Sequence, residues 1–178
     1  MRLLLDMLPD KDTVLQKFVD ALKPGGWLVL EEFDLEHQLP DPGAGSSAIA
    51  LFKKVHLAFQ RNLEARGADS ASGRELPRLF RQHRLENINA EGRAFIRQGG
   101  EPGRVAWRLS LERVAPLLIE EGSLTQEEIS QHYLQLDDPN FFYLSPLMVA
   151  TRGQKPTTET TLSQSQTQGR RLWPWQRS

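Results

Sequence analysis

Apolar residues recur along this chain at two spacings, and the switches between them mark out its elements. Leu3-Leu4-Leu5-Asp6-Met7-Leu8-Pro9-Asp10 reads as the end of a buried strand. Val14, Leu15, Phe18, Val19 and Leu22 then fall at helical spacing, behind Asp10 or Asp12 as a cap. Lys23-Pro24-Gly25-Gly26 stops that helix, because proline cannot continue it and glycine accepts positive φ. Trp27 to Leu30 is a continuous apolar run, as expected of a strand covered on both faces in a sheet packed by helices. Glu31, Glu32, Phe33 and Asp34 follow at its carboxyl end, the end that faces the ligand crevice in open α/β sheets.

A polar loop from His37 to Ser47 leads to a helix of roughly Ala48 to Arg66, with Ile49, Phe52, Val55, Phe59 and Leu63 on one face. A short helix is predicted from about Arg74 to His83, with Pro77 tolerated in its first turn. Leu85 to Ile96 alternates as a strand does, with Gly92 as a candidate bulge, and Gly99, Gly100, Pro102 and Gly103 mark a loop. Two helices follow, about Arg104 to Glu121 and Gln126 to Leu136. Pro116 should kink or restart the first, and Thr125 with Glu128 gives the second a capping box. Phe141 to Thr151 reads as the last strand, with Pro146 demanding a bulge, an edge position or a start near residue 146. Alternation of helix and strand gives an α/β fold class. From Gly153 the composition turns to Thr, Ser and Gln, so 1–152 is expected to be one folded unit and 153–178 a disordered polar tail.

With 178 residues, 39% hydrophobic and 25% charged, the chain has room for one real core. A net charge of -1 provides no global field that would draw it to nucleic acid or an anionic membrane, so neither is expected as a partner. The tail ends Arg170-Arg171-Leu172-Trp173-Pro174-Trp175-Gln176-Arg177. Such a mix suits a membrane surface, single-stranded nucleic acid or a partner pocket, or is an inert chain end. Without cysteine there is no disulfide, thiolate metal site or cysteine nucleophile. The apolar start is cut by Asp6 before it could act as a signal-peptide core, and a cytoplasmic location is the expectation. The histidines at 37, 56, 83 and 132 lack metal-ligand spacing, so no metal is expected. No Gly-x-Ser-x-Gly elbow occurs.

The leucine-rich stretch ending Leu-Pro-Asp and the later Leu22-Lys23-Pro24-Gly25-Gly26-Trp27-Leu28-Val29-Leu30 resemble the middle of a class I S-adenosylmethionine-dependent methyltransferase. There the first motif ends the fourth strand and the second leads into the fifth. The resemblance continues to about Arg152 and covers the carboxyl-terminal half of that fold. Its ending, Asp-Pro-Asn-Phe-Phe-Tyr-Leu-Ser-Pro-Leu-Met-Val-Ala, is similar to the antiparallel strand inserted beside the fifth in a subset of these enzymes.

The resemblance therefore implies a truncated Rossmann-like methyltransferase sheet, fourth strand onward, with covering helices. The glycine-rich loop and the acidic residue that hold most of the cofactor in such enzymes belong to the first two strands. They are not matched here. Binding of S-adenosyl-L-methionine by this chain alone is thus doubtful. The resemblance places Arg2, Leu3 and Met7 beside the methionine part of the cofactor, Met7 standing where many relatives carry histidine.

No catalytic residue is assigned, since methyl transfer from an activated sulfonium relies chiefly on alignment. The candidates for the acceptor side are Glu32, Phe33, Asp34, His56, Trp107 and Arg108, with Glu31 and Phe52 beside them. The acids could take a proton from an attacking amine or hydroxyl, or end a solvated strand or cap the following loop. Trp107 could line the pocket or pack the core, and His56 could be a base or a half-buried helix residue. The expected activity is methyl transfer to a small molecule by a chain that is incomplete and inactive alone. The rivals are a non-catalytic binding or scaffold remnant and a truncated gene product. The partner is then an amino-terminal half, or a second copy met through an exposed sheet edge.

Overall fold

The computed structural model describes residues 2–3, 5–8 and 10–157, with the backbone alone for Asp6. Among the described residues, five α-helices and six strands form two small sheets and three hydrophobic clusters. The Arg/Trp-rich end of the tail lies outside the described residues.

The chain start makes a parallel bridge from Arg2 to Glu31, and the Leu3 amide donates to the Glu31 carbonyl at 2.8 Å. A 3-10 turn, Leu5–Met7, leads to α1, Lys11–Ala21. The Asp10 carboxylate caps α1 by accepting from the Thr13 amide at 3.0 Å, while Asp12 turns to the His83 imidazole. Strand β1, Trp27–Asp34, follows. It pairs antiparallel with β6, Leu147–Gln154, which pairs in turn with β3, Glu86–Arg93.

Between β1 and β3 lie β2, Leu39–Pro40, then α2, Ser46–Glu64, and α3, Ser72–Gln82. Helices α1 and α3 cover one face of the central sheet, packing Leu15, Leu76 and Phe80 against Leu5 and Leu30, all fully buried. The opposite face carries Trp27 and Val29, 47% and 51% exposed. The expected cover on both faces of the strand is therefore absent among the described residues. The run is apolar on both sides, but only the side of Leu28 and Leu30 meets helices.

The second half is a small helical group beside a three-stranded sheet. After β3 come β4, Ile96–Gln98, α4, Arg104–Glu120, α5, Gln126–Asp137, and β5, Phe142–Leu144. Strands β2 and β4 flank β5 antiparallel. Helices α2, α4 and α5 share a core of Val55, Phe59, Leu111, Leu118 and Ile129. The capping box of α5 is present, with the Thr125 hydroxyl accepting from the Glu128 amide and the Glu128 carboxylate from the Thr125 amide.

Several local expectations change. The strand expected over 85–96 splits between the two sheets, and its register shifts between Glu86 and Asn89, not at Gly92. Gly92 instead admits Leu147, whose Cδ1 lies 2.9 Å from where a Cβ would stand. Pro146 separates β5 from β6, as a residue without an N–H must when two ladders meet. Pro77 sits in the second turn of α3, because that helix starts two residues earlier than its polar sequence suggests. Helix α4 runs through Pro116 without restarting.

The boundary expected at residue 152 falls inside β6, which reaches Gln154. Lys155 continues the order: its backbone pairs with Gly25 and Gly26, and its ammonium donates to the Val19, Asp20 and Leu22 carbonyls at 2.8, 3.3 and 2.9 Å. These are the open carbonyls at the end of α1, where a cation is favoured.

Candidate functional site

The candidate residues gather in two separate groups. The first surrounds the carboxyl end of β1. Glu32 and Asp34 point to the helix-covered face and are fully buried, so neither ends a solvated strand, while Asp34 caps the turn that follows. The Glu32 Oε1 accepts the Leu5 amide at 2.8 Å and pins the chain start to β1. The Asp34 Oδ1 accepts from the Glu36 amide at 3.1 Å and the His37 Nδ1 at 3.0 Å, and its Oδ2 lies 3.5 Å from the Arg74 Nε. Arg74 also pairs with Glu36, and these contacts hold its guanidinium above its ordinary pKa. Asp34 therefore holds the Glu36 amide beside the Arg74 guanidinium and Glu32 holds the Leu5 amide, contacts that offset part of the cost of burying these acids. Glu31 stays half-exposed, 3.4 Å from the Arg2 guanidinium. Phe33 pairs with Met148 on the open face of the sheet.

The second group is a nest of rings between α2, α4 and the small sheet. The His56 imidazole is sandwiched between Phe52 at 3.9 Å and Trp107 at 4.2 Å. Its Nδ1 lies 2.8 Å from the Phe52 carbonyl, and since a carbonyl only accepts, that nitrogen carries the proton. The Nε2 is buried and unpartnered among the described residues. Burial, seconded by the nearby His132, lowers the His56 pKa to about 3. This is a neutral, enclosed imidazole, neither half-buried nor placed as a solvent-facing base.

Beside it the donors and acceptors form a chain. The Trp107 indole N–H donates to the His132 Nε2 at 3.0 Å. The His132 Nδ1 then donates to the Gln135 Oε1 at 3.0 Å, and the Gln135 amide to the Ala48 carbonyl at 2.9 Å. The relay ties α4 to α5 and α5 to α2. Burial holds His132 neutral too, lowering its pKa to about 4.

Arg108 faces outward, paired with Glu112 at 3.0 Å and Asp137 at 3.2 Å, and stacks over the Tyr133 ring. His132, Gln135, Phe141 and Tyr143 belong to this nest although their sequence pattern does not single them out as site residues. Their aromatic spacing near residue 141 is the one local hint.

Two clefts open near the nest. One of about 510 Å³ lies between the start of α2 and the end of α5, lined by Ser47, Leu51, Gln131, Gln135 and Phe141 among others. The other, about 440 Å³, lies on the small sheet beside Leu39, Pro40, Ile96, Phe142, Tyr143 and Leu144. Arg2, Leu3 and Met7 line neither. The Leu3 amide is committed to Glu31 and Met7 is 70% exposed.

An 89-residue stretch is 32% identical to Methyltransferase str2 of Strobilurus tenacellus. In sequence, the chain is methyltransferase-like. The matched stretch is 49% of this chain and 31% of that protein, so the match spans about a third of the curated relative. No family model matches.

Among solved structures, phosphoethanolamine N-methyltransferase 2 of Haemonchus contortus, in complex with phosphomonomethylethanolamine and S-adenosylhomocysteine, superposes with a TM-score of 0.39 at 15% identity. The superposition covers 87% of this chain and 32% of that one. A putative methyltransferase from Bacillus halodurans C-125 gives 0.44 at 13% identity, covering 88% and 68%. The methyltransferase-like chain carries its α/β architecture without a membrane-length apolar helix among the described residues.

Proposed function

We propose that this chain forms the acceptor-side half of a class I methyltransferase unit acting on a small molecule in the cytoplasm. In this reading S-adenosyl-L-methionine is held only together with a segment that supplies the glycine-rich strand, loop and helix. One observation carries the reading: β1 is flanked by a parallel contact from Arg2 and Leu3 on one side and by the antiparallel β6 on the other. That is the neighbour pattern implied by a fourth strand, a fifth strand and an inserted last strand. The open face at Trp27 and Val29 supports a need for further cover from an added half or a second copy. Phe33 and Asp34, at the crevice end of β1, are the residues nearest the transfer chemistry in this reading.

A non-catalytic scaffold is the second reading. Its support is that Glu32 and Asp34 are spent on structural contacts and that the rings around His56 pack on one another.

Calorimetric titration with S-adenosylmethionine and S-adenosylhomocysteine tests both. The 178-residue chain alone should bind neither tighter than about 100 µM, about -5.5 kcal/mol. Mixed with the amino-terminal half of Methyltransferase str2, it should bind both and scatter light as a heteromer. Tight binding by the chain alone would overturn the shared cofactor site. No binding in the mixture would overturn the methyltransferase reading and leave the scaffold.

A further inference from the structure

The turn that leaves β1 sets an exposed imidazole on a buried acid. Leu35–His37 is a single 3-10 turn, capped by Asp34 through the Glu36 amide at 3.1 Å. That cap is complete without any side chain at position 37. The His37 Nδ1 nevertheless lies 3.0 Å from the same Asp34 Oδ1, with the Asp34 side chain fully buried and the His37 side chain 50% exposed. A carboxylate oxygen only accepts, so Nδ1 carries a proton, and in the neutral ring Nε2 is the nitrogen left to accept one. The exposed part of the ring is the part away from Asp34, where Nε2 lies. The acid is also able to balance a cation beside it. Its Oδ2 makes no hydrogen bond among the described residues and has only the Arg74 Nε at 3.5 Å. Arg74, from α3, opposes a second positive charge here, but it is itself paired with Glu36, and Asp69 adds a further negative charge near it.

The pair stands at the crevice end of the central sheet. From His37 the chain runs directly into β2, while β4 and β5 join β3 and β6 through the short links 94–95 and 145–146. The small sheet therefore stands beyond the end of β1 that carries Asp34. It bears the cleft of about 440 Å³ lined by Leu39, Pro40, Ile96 and Phe142 among others, with Asp41 the charged member of that lining. Apolar walls with one negative charge suit an uncharged, apolar body and disfavour an anion.

We infer that His37, oriented by Asp34, is the base that takes the proton of a phenolic acceptor whose apolar body lies toward the small sheet. This rests on the methyl-transfer reading above. A neutral hydroxyl is a weak nucleophile. An imidazole takes a proton far more readily from a phenol, ordinarily near a pKa of about 10, than from an aliphatic alcohol. Nε2 takes the hydroxyl proton as the acceptor oxygen bonds to the methyl carbon, the electron pair of the broken carbon–sulfur bond staying on sulfur. Asp34 is a positioning residue: it fixes the tautomer and balances the imidazolium, whose exposed edge then releases the proton to water.

NMR of the imidazole nitrogens in the full chain, with the His37 signals assigned through His37→Gln, tests the pair without any cofactor. The neutral His37 ring should be protonated at Nδ1. Phenol should shift the Nε2 signal saturably with a Kd of about 10 mM or tighter, and anisole, which has no hydroxyl proton, should need about tenfold more. With para-nitrophenol, whose anion is coloured, the parent should ionise more of the probe than His37→Gln does at the same pH. Asp34→Asn, with its fold verified by circular dichroism, should shift the ring toward the Nε2-protonated tautomer and weaken the phenol response severalfold. The His37→Gln and anisole comparisons carry the test whether or not that variant folds. A neutral parent ring protonated at Nε2, equal responses to phenol and anisole, or equal ionisation of para-nitrophenol with His37→Gln would overturn the proposal. The two readings fail separately. Absent cofactor binding in the mixture removes methyl transfer with the phenol response intact, whereas an absent phenol response removes the base and leaves cofactor binding as it is.

Discussion

Two neutral histidines in one ring nest make the stability of this protein steeply dependent on pH. His56 and His132 are 5% and 0% exposed, and burial lowers their pKa values to about 3 and about 4. In an unfolded chain each titrates near about 6.5. Below that pH the unfolded state takes up protons that the native state refuses, so stability falls as pH falls, down to the folded values. Between pH 7 and 5 the folded values scarcely enter. Each histidine then costs about 2 kcal/mol, and the pair about 4 kcal/mol. The geometry agrees with the sign, because a proton on His132 Nε2 would face the Trp107 indole N–H and one on His56 Nε2 would find no acceptor. Urea unfolding at pH 7 and pH 5 measures the loss. In His56→Phe, which keeps a ring between Phe52 and Trp107, the loss over the same interval should drop by about 2 kcal/mol. An unchanged pH dependence in that variant would refute the reasoning, whatever the total slope.

Lys155→Met should cost about 1 kcal/mol in urea unfolding by stripping the carbonyls at the end of α1 of their donor; a change near zero would show that water replaces the ammonium without loss. Gly99→Ala should be far more damaging, about 3 kcal/mol or more, because its Cβ would lie 2.0 Å from the Asp138 carbonyl oxygen and only backbone movement could relieve the clash; a variant melting within a degree or two of the parent would contradict that contact.

The elements that were legible in sequence are those with strong local signals. Asp10 before an apolar helical stripe located α1, and Thr125 with Glu128 located α5, because a cap is a contact between residues three apart. Pro146 announced the break between β5 and β6 for the same local reason. What the sequence concealed was settled at long range. Lys155 looked like part of a polar tail beginning at Gly153, yet its partners lie 133 or more positions away at the end of α1. Glu32 and Asp34 looked like crevice acids because they end an apolar strand. Their roles depend on Leu5 and Arg74, brought in from the chain start and from α3. Trp107 and His56 had both core and pocket readings in sequence. In the structure their rings stack on one another and Trp107 enters the relay through His132.

The separation of the two candidate groups bears directly on how such a chain could work. Among the described residues, no hydrogen bond, ion pair or ring contact joins Phe33 and Asp34 to His56 and Trp107. A single pocket spanning both would need the nest to open, breaking the stacked rings and a relay that ties three helices. Losing that stacking and that relay makes the opening costly. The less expensive arrangement leaves the nest shut as the rigid floor of the small sheet. In the reading proposed above, binding then falls to surfaces outside the nest, such as the exposed face at Trp27 and Val29. A rigid nest also explains why the small sheet can hold Arg97 against the start of α4, since Phe52 packs on both Phe141 and Tyr143 beside the strand that faces it.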